Sequence, residues 1–408
     1  MNAKQIIDAL DLLDDELLDE ANALRDSPRR RTGQLRWIGA AACLALAAVV
    51  GAGLLHTGRD APRSNPPEPA SLHRLPLSVE VTNPGGMGYE GYLAYDVSEL
   101  VSGSPWKETD GLRTLPVYRN PVEYDEAGAP IANINLEAMK ARALEVADRL
   151  GVAVELQDTA PSEEEIAAVR EKLGEIPAGY FDPTEVTARG EGVEIIVLAD
   201  LTAAIFFEPA LELPEEYNFG YHAPYEDMEA VSDYLLDRYR ALLAMDDPQM
   251  GPTGGDYTYY GAQMYQITAY DGAGDTTQRL LSYSFGSASF SCDDEGRLWI
   301  IRLCRPDLSQ KVGDYPIITP QEAKELLTQG KYITNVPCEL PGAQYVKDVE
   351  LLYLSGRREQ YFMPYYRFLV ELPEEARENG LNTYGAYYVP AVEEEYLTGL
   401  PVWDGGFN

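Results

Sequence analysis

From Trp37 to Leu55 the chain reads WIGAAACLALAAVVGAGLL, nineteen residues without a charged side chain. At about 1.5 Å per residue such a helix matches a hydrocarbon core of about 30 Å, and it satisfies its own backbone groups inside lipid. Arg29, Arg30, Arg31 and Arg36 stand immediately before the run, whereas only Arg59 and Arg63 lie close behind it. Positive charge is retained on the cytoplasmic side, so the N-terminus is expected inside and the chain after about residue 56 outside. Trp37 fits an interfacial anchor. A cleaved signal peptide has a short basic start, whereas 36 residues precede this run. A lipoprotein cysteine would follow an apolar region, and Cys43 lies near the start of one. The expected protein is a single-pass plasma-membrane protein with its mass extracytoplasmic.

Residues 1–28 repeat Ile6, Leu10, Leu13, Leu17, Ala21 and Leu24 at spacings of three and four, which predicts an amphipathic helix. Its other face carries Asp8, Asp11, Asp15 and Asp19. Such a helix is marginal alone, so Ile6, Leu10, Leu13, Leu17 and Leu24 are candidates for docking a cytosolic regulator. Self-association and lying along the membrane are the alternatives, and the acidic face disfavours membrane contact.

The 408 residues carry a formal charge of −35, of which −2 falls on residues 1–36 and −33 beyond them. Such a surplus of carboxylates repels nucleic acid and anionic lipid, so no nucleic-acid partner is expected. A length of 408 residues predicts two or three folded units. Residues 57–78 are rich in Pro and Ser and read as a tether. The organisation expected is therefore 1–35 cytosolic helix, 36–56 transmembrane helix, 57–78 linker, 79–250 first ectodomain and 251–408 second ectodomain.

Beyond the tether, a helix followed by about three strands recurs three times. Asn135 caps the first helix, whose Leu136, Met139, Ala143, Val146 and Leu150 share a face before Gly151. A second short helix is expected from Ser162 to Gly174, with strands at EVTAR, VEIIVLAD and TAAIFFEP. The next unit has a helix near Met228–Ala244 and strands QMYQITAY, RLLSYSFGSASFS and RLWIIRLC. DGAGD (271–275) and DDEG (293–296) read as turns between them. The last unit opens at Thr319-Pro320-Gln321-Glu322, which joins an N-cap, proline at the first helical position and a capping-box acid. Strands VKDVELLYL, MPYYRFLVEL and YGAYYVP follow. Antiparallel sheets with helices packed on them give an α+β class.

Catalytic and metal signatures are sparse. The three histidines, His56, His73 and His222, are far apart in sequence, and no Walker, G-x-S-x-G, H-E-x-x-H or dinucleotide fingerprint occurs. No cofactor, metal site or catalytic residue is expected. Acidic pairs are too abundant to single out glycosidase acids, and the carboxylates at 271–275 and 293–295 suit turns better than calcium. Cys292 is expected to face a residue near 298 across a hairpin rather than to bridge Cys304. Tyrosine is frequent, at 28 residues, and such rings suit both half-buried strands and recognition surfaces. Tyr361, Tyr365, Tyr366, Tyr387 and Tyr388 are the candidate ligand-binding set.

The segments YPIITPQEAKELL, VELLYLSGRREQYFMPYYRFLVEL and YGAYYVPAV resemble a PepSY-like module. They are also similar to the extracytoplasmic halves of accessory regulators of the Gram-positive cell-wall two-component system. With its DALDLLDDELLDEA start, Arg-flanked span and GYEGYLAYDVSELV, the whole chain is similar to a group of single-pass proteins of Gram-positive anaerobes. The resemblance implies a non-catalytic sensor or regulator that binds a wall component, peptide or partner ectodomain outside and a regulator inside. Membrane-bound anti-sigma factors share such architecture, although the zinc-type His-x-x-x-Cys-x-x-Cys motif does not occur in residues 1–36. A scaffolding envelope protein and a wall-polymer hydrolase are the other readings.

Overall fold

The computed structural model of the chain describes residues 72–77, 90–125, 129–157, 183–357, 359–377 and 379–403, with single positions between 163 and 181. The apolar run at 37–55, the helix at 1–28 and most of the helix expected at 162–174 lie outside the described residues. Among the described residues no helix is long and apolar enough to cross a membrane.

The described chain is α+β. It opens with β1 (Gly91–Ala94), β2 (Thr114–Arg119), β3 (Glu123–Tyr124) and β4 (Pro130–Ala132), then α1 (Leu136–Leu150). The strands β5 (Val154–Leu156), β6 (Glu185–Gly190), β7 (Val193–Leu198) and β8 (Ala203–Leu211) lead to α2 (Tyr225–Leu243). Next come β9 (Pro248–Tyr257), β10 (Gln263–Asp271), α3 (Thr276–Phe285), β11 (Ala288–Cys292), β12 (Leu298–Leu303) and β13 (Lys311–Pro316). After α4 (Pro320–Thr328), the strands β14 (Ile333–Thr334), β15 (Val346–Tyr353), β16 (Tyr361–Phe362), β17 (Pro364–Glu371) and β18 (Asn382–Pro390) complete the fold.

The first two expected units are one sheet. Eight strands run in the order β5-β6-β7-β8-β12-β11-β10-β9, with β8 antiparallel to β12. The boundary expected at 250/251 therefore falls inside β9, and the ladder joins strands from both sides of it. One face alternates strictly: Val193, Ile195 and Val197 of β7 and Ala203, Ile205 and Phe207 of β8 point into the core. There α1 contributes Met139, Ala143 and Val146, and α2 contributes Val231, Leu235 and Leu242. The opposite face is open enough to leave Trp299 42% exposed beside Phe206.

One sequence expectation changes here. The stretch 279–291 does not form one strand, because its first half belongs to α3. Asp275 accepts the backbone N–H of Gln278, and the Gln278 side chain accepts the N–H of Asp275. That reciprocal cap turns a segment with strand-like residues into a helix. The segment 248–257, rich in Gly and Pro, is an edge strand paired with β10, where proline can sit without breaking a central ladder. The DDEG turn is a hairpin as expected, with Cys292 opposite Leu298. Among the described residues no disulfide forms, and burial pushes the Cys292 thiol up to about 11.

The second sheet has the order β1-β18-β17-β15, with β14 also on β18. It is buried on both faces. Tyr366, Phe368, Tyr387 and Val389 pack under Ala323 and Leu327 of α4 and Leu280 and Phe285 of α3, while Tyr365, Leu369, Ala386 and Tyr388 join Leu75, Tyr315 and Leu397 on the other side. This second face holds a polar row. Arg367 stands opposite Glu350 in β15 and Tyr388 in β18, and it is ion-paired to Glu350. The Tyr388 hydroxyl donates to Glu90 at 2.7 Å. The expected opening of α4 is present: Thr319 and Glu322 cap each other and Pro320 occupies the first turn. A smaller sheet, β13-β2-β16, and the hairpin β3-β4 lie beside these two.

Candidate functional site

The tyrosines singled out in the sequence separate in space. Tyr365 and Tyr387 are fully buried, and Tyr366 and Tyr388 are at most 3% exposed. Their hydroxyls are used internally where partners occur: Tyr366 donates to the Ile318 carbonyl and Tyr387 to the Cys338 carbonyl. A stacking surface needs an accessible ring face, so these four are core residues and not a ligand surface. Tyr361, half-buried, lines a cleft, and the His73 ring packs against it edge-on at 6.4 Å. The candidate docking residues Ile6, Leu10, Leu13, Leu17 and Leu24 lie outside the described residues.

Two clefts of about 390 and 490 Å3 share Arg119, Asn120 and Val122. They meet where the end of β2 turns away from its sheet. Asn120 holds that turn. Its amide donates to the Glu359 carbonyl at 3.0 Å and its oxygen accepts the Val122 N–H at 3.1 Å. The backbone adds Asn120 N–H to the Gln360 carbonyl and Arg119 N–H to the Gln310 carbonyl, both at 2.9 Å. Asn120 is thus a framing residue that ties 119–122 to Arg357, Glu359 and Gln360.

The smaller cleft is completed by Asn135 and Ala138 at the start of α1, by Pro306, Asp307 and Gln310, and by the β7–β8 turn. In that turn Asp200 accepts the Thr202 N–H at 2.9 Å and Leu201 takes φ +67. A leucine in the left-handed region is held there at a cost of about 1–3 kcal/mol, so the turn's shape is imposed by its surroundings. Burial raises the Asp200 carboxyl above the usual range, against the lowering effect of the Thr202 N–H and the Arg357 charge. The larger cleft is walled by Glu123, Tyr124 and Ile131 of the β3–β4 hairpin and by Arg357, Glu359, Gln360 and Tyr361. Burial, and then the Asp200 charge, push the Tyr124 phenol well above its ordinary range.

Among the described residues that line the two clefts there is no Ser, Thr, Cys, His or Lys. Amides, guanidinium groups and carboxylates remain, beside two tyrosines. Such a mixture offers hydrogen bonds in both directions to a polar ligand. The acidic turns at 271–275 and 293–296 are spent on local geometry. Asp271 accepts the N–H groups of Asp246, Asp247 and Ala273, and Asp293 accepts those of Glu295 and Arg297 and pairs with the Arg297 side chain.

Arg119, Asp200, Arg357 and Glu359 were not visible as a set in the sequence, because the site joins positions more than a hundred residues apart. Asp200 read as the end of a strand, and only the Asp-Leu-Thr break between two apolar runs marks it as a turn. No family model matches the chain, and no curated protein does either.

Proposed function

We propose that the protein is a membrane-anchored extracytoplasmic sensor or regulator. Its outer part binds a polar wall component, peptide or partner ectodomain without catalysis, and its inner helix contacts a cytosolic regulator. The observation that carries the outer half is the pair of joined clefts, framed by Asn120 and lined by amides, guanidinium groups and carboxylates. Tyr361 supplies an aromatic wall. The uncharged run at 37–55 with its preceding arginines supports the anchor, and the PepSY-like resemblance of the last unit supports a regulatory role.

Equilibrium binding of soluble peptidoglycan fragments to the full chain tests the outer half. Binding without turnover, weakened about tenfold by Gln310→Ala or Gln360→Ala, is expected. Turnover that disappears in Asp200→Asn or Glu359→Gln would replace this reading with a hydrolase. Site-specific crosslinking from residues 1–35 in cells tests the inner half, and capture of no specific protein removes it.

A further inference from the structure

We propose that the cluster of Arg142, Arg149 and Arg305 is a binding site for a phosphate group. In a chain of formal charge −35, three guanidinium groups converge here on one carboxylate. Glu145 is reached by Arg142 at 2.9 Å, by Arg149 at 2.6 Å and by Arg305 at 3.5 Å. Ordinary helix-surface pairing matches one cation to one anion. Among the described residues, two positive charges remain over at this point.

The cluster is built from two parts of the fold. Arg142, Glu145 and Arg149 are spaced by three and four along one face of α1, and Arg305 reaches them from the segment after β12. Arg142 is 7% exposed, and its Nε has no acceptor among the described residues. A buried guanidinium N–H left without an acceptor is costly, and the buried charge attracts an anion held above it by the more exposed arginines. Arg149 and Arg305 are 29% and 38% exposed, so they can grip a ligand from the surface while Arg142 supplies charge from beneath.

The charges acting on Arg142 tell the same story. Burial disfavours its charged form most, Glu145 favours it, and Arg305 and Arg149 both oppose it. At Glu145, burial is outweighed by the Arg142 hydrogen bond and the three positive charges, which hold its carboxyl below the usual range. Glu145 therefore stays ionised, leaving the surplus at two. A phosphate group fits better than a carboxylate because it offers oxygens on several sides to guanidinium forks converging from two elements. The negative field of the rest of the chain is screened beyond about 8 Å at physiological ionic strength, so the local cluster decides binding.

This inference does not depend on the clefts. Ala138 and Pro306, each close in sequence to the cluster, line the smaller one, but none of the three arginines does. The test is titration of inorganic phosphate into the full chain at fixed chloride, read by isothermal calorimetry and by amide or arginine side-chain NMR shifts. Saturable binding is expected, weakened at least about tenfold by Arg149→Gln or Arg305→Gln, as loss of a charge-assisted hydrogen bond implies. Both residues are partly exposed, and an unchanged circular dichroism spectrum shows that these variants fold. Glu145→Gln removes the competing carboxylate and should tighten binding severalfold. A soluble glycerophosphodiester and phosphatidylglycerol vesicles then distinguish a free phosphate group from a lipid headgroup. Equal affinity in the natural chain and both arginine variants, or weaker binding in Glu145→Gln, overturns the proposal. Peptidoglycan-fragment binding that survives Arg305→Gln leaves the cleft reading standing when this one fails.

Discussion

The two large sheets solve the same packing problem in opposite ways. The eight-stranded sheet buries one face under α1 and α2 and leaves the other half-open, so β7 reads as a clean alternation of buried and partly exposed residues. The five-stranded sheet is enclosed on both faces, and all but the first residue of β18 are buried. A one-sided sheet can write its burial in period two, whereas a two-sided sheet needs bulky side chains in both directions. Tyrosine meets that second need because its ring fills space while its hydroxyl finds a backbone carbonyl, as at Tyr366 and Tyr387.

The sharpest way to break the comparison is to empty one site in each sheet. Tyr387→Ala should destabilise the fold by about 3–5 kcal/mol in denaturant unfolding, as removal of a fully buried ring does. Trp299→Ala on the open face of the eight-stranded sheet should cost about 1 kcal/mol or less. Equal losses would mean that the open face of the eight-stranded sheet is as well covered as the enclosed sheet. Next in size is the ion pair inside the enclosed sheet. Glu350→Gln removes the carboxylate ion-paired to Arg367, and about 3 kcal/mol of stability should be lost in the same measurement. A loss near zero would show that water reaches that row.

Smaller effects sharpen the picture at the helix ends. Asp275→Ala removes the cap that makes α3 a helix, and about 1 kcal/mol should go with it. Two carboxyls then predict opposite pH slopes between about pH 3 and pH 7. Backbone and side-chain hydrogen bonds at Thr319 hold Glu322 below its ordinary value. Its stabilising contribution is therefore present above the unfolded value of 4.5 and lost as pH falls through the lowered folded one. Burial raises Asp200, so the folded state favours its protonated form, and stability declines as pH rises from 3.8 through the raised folded value. Thermal unfolding of Glu322→Gln and Asp200→Asn across that range should each remove one slope. A change of the same sign in both variants would contradict the assigned causes.

These differences also explain what was readable from the sequence. The strands of the one-sided sheet from 185 to 211 and α1 with its Asn135 cap were legible, since each is coded by local period and capping. So was α4, through Thr319, Pro320 and Glu322. The helix α3 was hidden because Ser, Tyr and Phe in 279–291 favour strands while the decisive signal is a two-residue cap at Asp275 and Gln278. The clefts were illegible for a different reason. Asn120, Asp200 and Glu359 acquire meaning only when three distant turns meet, and no local spacing encodes that meeting. The tyrosine run at 384–388 pointed to importance, and that importance is in filling space.

The placement of β18 fixes when the enclosed sheet is able to assemble. It is an internal strand, with β17 along one edge and both β1 and β14 on the other, and Gly91 at the front of the described fold is matched to Gly385. During synthesis β1 emerges nearly three hundred residues before the strand that holds it. Until the ribosome releases that last segment, β1 has no strand partner and one edge of β17 is unpaired. Such a chain commits late and as a unit, and nascent fragments that stop short of residue 382 would present unpaired strand edges to chaperones and proteases.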